Sequence, residues 1–167
     1  MYRGRLVMNR FVTTILLIFF SIGCSASGPG FKDTQYATQP LPDGKGRIIF
    51  YRESDINFGS VTIGIEGAAI GALAHKGFIV ADLAPDDYKI SAWMRGIPLG
   101  EFVLKLRVSA GETYYIRASH RDERTAYPLF GPLGFVALFA DTKGEFRLDQ
   151  VTAAVALPTL EELKLSE

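Results

Sequence analysis

Cysteine is almost missing from this chain. Of 167 residues only Cys24 is one, so no internal disulfide can form. Histidine is nearly as scarce: His75 and His120 fall in different predicted turns, far apart in sequence. Neither has a histidine, a cysteine or a paired acid at metal-ligand spacing, so both read as solvated surface residues and no metal site is expected. No apolar run reaches the roughly 20 residues that a bilayer-spanning helix needs. Complete nucleophile elbows and phosphate loops are absent, as is any carboxylate pair at hydrolase spacing. Gly64 and Gly67 sit in a predicted hairpin with no following helix to hold an anion. Asp86 and Asp87 are two acids in one turn, far short of the 6–8 oxygens that calcium takes. The expectation is a protein without a cofactor and without an enzymatic activity.

Net charge is absent too, with 18 Lys+Arg against 18 Asp+Glu. The balance is uneven along the chain. Residues 1–23 hold three of the basic residues and no acid, which leaves 15 against 18 and a charge of about −3 on the remainder. That sign disfavours nucleic acid and anionic lipid as bulk partners, because both need a basic surface. Hydrophobic residues at 48% and aromatics at 12% suit one packed domain rather than a disordered chain.

The most informative segment is the start. Arg3, Arg5 and Arg10 precede the apolar run at 11–22, and Ser21-Ile22-Gly23-Cys24 closes it. A positive front, a short apolar core and a small-residue site define an export signal. Met8 is a second possible start. Gly23-Cys24 resembles the bacterial lipoprotein signal, which implies that Cys24 becomes the acylated first residue and that acyl chains attach the protein to a membrane. Ser25 after the cysteine resembles the sorting pattern that favours the periplasmic face of the outer membrane. Cleavage after Ala26 is the alternative and would release a soluble periplasmic chain.

Four regions are expected: a signal helix at 1–23, a flexible tether at 24–45, a β-sandwich domain at 46–154 and a C-terminal helix or tail at 155–167. The tether is rich in Ser, Gly, Pro and Thr. The domain alternates as strands do, since successive side chains point to opposite faces. Strands are expected at 46–53, 60–66, 69–73, 78–83, 88–95, 101–108, 113–119 and 145–151. In 101–108, Phe102, Leu104, Leu106 and Val108 point inward, with Leu104 and Leu106 buried, while Glu101, Lys105 and Arg107 point out. Turns fall at Gly67, at His75-Lys76-Gly77, at Pro85-Asp86-Asp87 and at Ser109–Glu112. Proline at a helix start and a late lysine suggest a short helix over Pro158–Lys164. The fold class is all-β, an antiparallel sandwich of about 7–8 strands.

Four motifs carry a family resemblance: Phe50-Tyr51-Arg52, Ile70-Gly71-Ala72-Leu73, the Leu83–Tyr88 turn and Gly111–Arg117. Together they resemble a bacterial domain of unknown function, the 2846 type, often found behind lipoprotein signals. The resemblance spans roughly 46–119, with Asp86-Asp87 standing where glycine is usual. It implies a small β-sandwich with no assigned chemistry.

Two charged or apolar stretches remain. His120–Arg124 reads as a solvated loop, or else as a polar binding patch. Tyr127–Ala140 carries three phenylalanines, three leucines and no charge. It reads either as a buried strand at 135–140 behind a turn-rich connector, or as an exposed loop that touches lipid or a partner. On the second reading Leu129, Phe130, Leu133 and Phe135 form the contact surface. The functional expectation is a non-enzymatic binding or structural module of the bacterial envelope. Its rivals are an accessory subunit docking an envelope complex through 127–140, and a hydrolase of peptidoglycan or polysaccharide.

Overall fold

A computed structural model of the chain describes residues 25–54, 59–94, 100–121, 131 and 143–166. Its strands are β1 (Gly46–Arg52), β2 (Val61–Ile65), β3 (Ala68–Leu73), β4 (Gly77–Leu83), β5 (Asp86–Met94), β6 (Phe102–Val108), β7 (Thr113–His120), β8 (Phe146–Val151) and β9 (Lys164–Leu165). They form a five-stranded sheet, β8-β7-β1-β4-β9, and a four-stranded sheet, β3-β2-β5-β6. The inner faces meet in one core. Ile48, Phe50, Ile116, Phe146 and Leu148 come from the first sheet, and Val61, Ile63, Leu73, Ile90 and Leu106 from the second. The expected sandwich is therefore present, and the period-two pattern aims the expected residues inward.

Pairing is not antiparallel throughout. β1 runs parallel to β7, and β4 parallel to β9. A parallel neighbour needs a long crossover. Here the second sheet and β4 lie between β1 and β7 in sequence and supply it.

The larger sheet is covered on both faces, which explains why all seven residues of β1 are buried. Ile48 and Phe50 face the sandwich interior, while Ile49 and Tyr51 face a second core with Phe31, Phe78, Ala156, Leu160 and Leu163. Two expectations are corrected by that second core. The segment expected as a flexible tether lies, from Ser25 onward, against the sheet. Ala26 N–H donates to His75 O at 3.0 Å, Phe31 N–H to Leu163 O at 3.1 Å, and the Phe31 ring meets Phe78 edge-on at 5.3 Å. A buried phenylalanine anchors a strand of otherwise polar chain because its transfer from water is worth about 1.5–3 kcal/mol.

The helix expected over Pro158–Lys164 instead spans Ala153–Leu160, with Pro158 inside it. The alanine-rich stretch before the proline has the stronger helix propensity. Ala156 and Leu160, four residues apart, bury one face. Lys164 and Leu165 then extend as β9, so the expected boundary at 154/155 falls within the helix. The turn expected at Pro85-Asp86-Asp87 is also shorter, since Asp86 and Asp87 already pair with Val108 and Arg107 in β5. Asp86 Oδ1 still accepts the Asp87 N–H at 2.8 Å, the local bond that aspartate supplies at such corners. Finally, Leu104 is half-buried while Leu106 is buried. β6 is an edge strand, and Leu104 packs against the core only in part.

One end of the sandwich gathers several chain ends. Arg52 closes β1 opposite Gly77, the first residue of β4. His120 closes β7 opposite Phe146, the first residue of β8. Leu73 and Met94 flank Val61 in the second sheet. Bridges Ser25↔His75 and Gly100↔Lys143 lie at the same pole.

Candidate functional site

Two groups of polar residues stand at this pole. The first is internal. Arg52 is fully buried, donates to Gly59 O, and lies over the Phe146 ring at 4.8 Å from its centroid. Its Nη2 is 3.3 Å from His75 Nε2. A guanidinium only donates, so this is a hydrogen bond when Nε2 bears no proton. The His120 ring meets Phe146 edge-on at 5.7 Å. The two histidines, expected as separate solvated residues, are half-buried and join one cluster through Arg52 and Phe146. Folding brings together what 44 intervening positions keep apart in sequence. The cluster ties the start of β2, the β3–β4 turn and β8 to the end of β1.

The second group lies on the outer face of the larger sheet. Strand alternation puts Tyr51, Arg117, Ser119, Arg147 and Asp149 there, with Tyr51 opposite Arg117 and Ser119 opposite Arg147. A recess of about 270 Å³ is lined by Glu53, Ser54, Arg117, Ser119, His120 and Arg147. Arg117 Nη1 is 4.0 Å from Glu53, and Arg147 Nε donates to Asp149 at 2.9 Å. Among the described residues, the buried side-chain polar atoms without a partner are Tyr51 Oη, Arg117 Nε and Ser119 Oγ. All three belong to this face. An unmet buried donor costs about 1–3 kcal/mol, so three in one place are unusual in a relaxed fold. Burial pushes the Tyr51 phenol above its ordinary value; Arg117 opposes that shift and Glu53 adds to it.

A neighbouring recess of about 410 Å³ shares Glu53 and Ser54 and adds Lys76, Pro158, Thr159, Glu162 and Leu163. It is where the rival hydrolase reading has two carboxylates to use. In the first recess the hydroxyl of Ser119 has no hydrogen-bond partner among the described residues. No group of three metal-ligating side chains occurs among the described residues.

The sequence-predicted site residues Cys24, Leu129, Phe130, Leu133 and Phe135 lie outside the described residues. Of the charged run at 120–124, His120 and Arg121 are described and half-buried. Arg121 donates to Gly144 O at 3.0 Å, which makes its role at least partly structural. Sequence reasoning passed over Tyr51, Arg117, Ser119 and Arg147. A signal existed: Arg52 ends β1 and Arg117 lies within β7, each following a run of apolar or aromatic residues, and each closes one of the family motifs.

The model of one family, described as a protein of unknown function (DUF2846), matches residues 42–129. That span contains β1 to β7 and, within them, Tyr51, Arg117 and Ser119. No curated protein matches the chain.

Proposed function

The chain belongs to the DUF2846 family, and from that premise we propose that it is a lipid-anchored module of the bacterial cell envelope, with a non-enzymatic sandwich held at the membrane by acyl chains on Cys24. The observation that carries this reading is the seating of Ser25 and Ala26. Ser25 bridges to His75, its Oγ donating to His75 O at 3.3 Å, and Ala26 N–H donates to the same oxygen. Cys24 precedes Ser25 by one peptide unit, about 3.8 Å between Cα atoms. An acylated Cys24 would thus hold this pole close to the bilayer, with little slack. Each buried CH₂ contributes about 0.8 kcal/mol, and two or more chains make attachment stable. Ser25 at the second position supports the periplasmic face of the outer membrane.

The test is Cys24→Ser followed by membrane fractionation and acyl labelling. The variant should leave the membrane fraction or remain an uncleaved precursor. Mature variant that stays membrane-bound without acylation would refute the reading.

A second reading has its own observation. Arg121 and Lys143, which bracket residues 122–142, stand at the pole that carries Ser25. On this reading the apolar stretch 127–140, which lies between these two residues in the sequence, is the contact surface. There Leu129, Phe130, Leu133 and Phe135 would meet lipid or an envelope protein. Replacing Phe130 and Leu133 together with serine tests this. Loss of envelope cross-links with an unchanged melting temperature supports docking; a large fall in melting temperature with cross-links intact makes these residues core.

A further inference from the structure

We propose that the recess between the ends of β1, β7 and β8 binds a phosphate oxyanion. This goes beyond the anchoring reading and stands without it. Arg117 Nε, Ser119 Oγ and Tyr51 Oη are buried without partners on adjacent strands of one sheet face. The guanidinium N–H can only donate, and both hydroxyls can donate. Arg117 and Ser119 line the recess, with Tyr51 beside Arg117 on the neighbouring strand, and unmet donors at its wall select a ligand that is rich in acceptors. Arginine adds a fixed positive charge whose fork matches phosphate geometry.

The surrounding charges fit a site held open rather than collapsed. Arg147 borders the recess and is oriented by Asp149 at 2.9 Å. Glu53 sits 4.0 Å from Arg117, too far for a strong hydrogen bond, and its side chain is half exposed. It can swing into solvent as an anion enters. His120 also lines the recess, and its ring is fixed against Phe146. At about 270 Å³ the space admits a phosphate group with part of what it esterifies. The shared chemistry covers two sources: a phospholipid headgroup, since Ser25 marks the same pole, and a free phosphate-bearing solute. Ordered water is the competing occupant.

The experiment uses the intact chain in a non-ionic, phosphate-free detergent. The Arg117 Nε–H correlation is followed by NMR during titration with inorganic phosphate, with short-chain phosphatidylglycerol, and with chloride at matched ionic strength. A saturable shift with phosphate or with the lipid, and none with chloride, supports the site. A shift with the lipid alone assigns the headgroup; a shift with inorganic phosphate alone assigns a free solute. Equal response to chloride, or no response to either phosphate probe, leaves the recess to water and overturns the proposal. Ser119→Ala retains every charge and should weaken binding about tenfold, read by thermal shift with phosphate. Arg117→Lys should abolish that shift. If Arg117→Lys fails to fold, Ser119→Ala decides alone, and wild-type phosphate response in a folded Ser119→Ala overturns the proposal.

Discussion

Three adjacent positions on β6 should respond to alanine in sharply different ways. Leu106 is 6% exposed and faces the core; Lys105 points to solvent; Leu104 is half-buried. A buried Leu→Ala costs about 2–5 kcal/mol, the spread reflecting how far the site collapses. Because β6 is an edge strand that can relax, Leu106→Ala should fall in the lower half, about 2–3 kcal/mol. For a domain of this size that lowers Tm by roughly 6–12 °C. Leu104 loses less buried area, so Leu104→Ala should cost about 1–2 kcal/mol. Lys105 lies directly opposite Lys89 on the neighbouring strand. Like charges in that position repel, so Lys105→Ala should be neutral or slightly stabilising, within about 0.5 kcal/mol. Urea unfolding with an unchanged m-value is the measure. If Lys105→Ala costs as much as Leu106→Ala, or Leu104→Ala costs more than Leu106→Ala, the burial argument for this sheet is wrong.

Other consequences follow from single contacts. Arg47 is nearly buried and bidentate to Asp82 at 2.8 and 3.0 Å across β1 and β4. Asp82→Ala strands that cation and should cost about 2–4 kcal/mol in urea unfolding, below the full buried-pair range because Asp82 is partly exposed. Adding Arg47→Met should recover most of the loss; no recovery would mean that the pair does not set the cost. Tyr51 Oη is buried without a partner, so Tyr51→Phe should leave stability at pH 7 unchanged or raise it by up to about 1 kcal/mol. The sign at high pH follows from burial, which raises the folded-state value of this phenol. Above about pH 10 the unfolded chain ionises first, so stability falls as pH rises toward the folded value. Tyr51→Phe should flatten that alkaline fall, and an unchanged slope in pH-dependent melting would count against it. Tyr115, raised by burial alone, carries the same sign.

Much of the fold was legible because β-strands write their environment into alternate positions. Val61, Ile63 and Ile65 could only be a buried face, and Glu66-Gly67 could only be a tight reversal, its two residues adopting φ of 50° and 80°. The same logic failed for β1, where apolar residues fill both parities and alternation says nothing. A continuous run reads as a strand buried on both sides only when something covers the second face. That cover comes from Phe31, Ala156, Leu160 and Leu163, at the two far ends of the described chain. Propensity alone could not show that those ends are bound there. A Ser/Gly/Pro-rich segment looks flexible until one phenylalanine finds a pocket. The helix at 153–160 was masked by a proline that tertiary packing tolerates.

The candidate site divides in the same way. The lone cysteine and its apolar leader are local patterns, so the proposal for Cys24 rests on the sequence alone. The recess is not a pattern in the chain at all. Tyr51, Arg117, Ser119 and Arg147 meet because β1 pairs in parallel with β7, across 60 intervening residues, and β8 pairs back onto β7. By itself the sequence determined the strands, their inward faces and most turns, since those depend on neighbours one to four positions away. Only the tertiary structure decided which strands lie side by side, and hence which polar atoms are buried together without partners, because that depends on packing between distant segments.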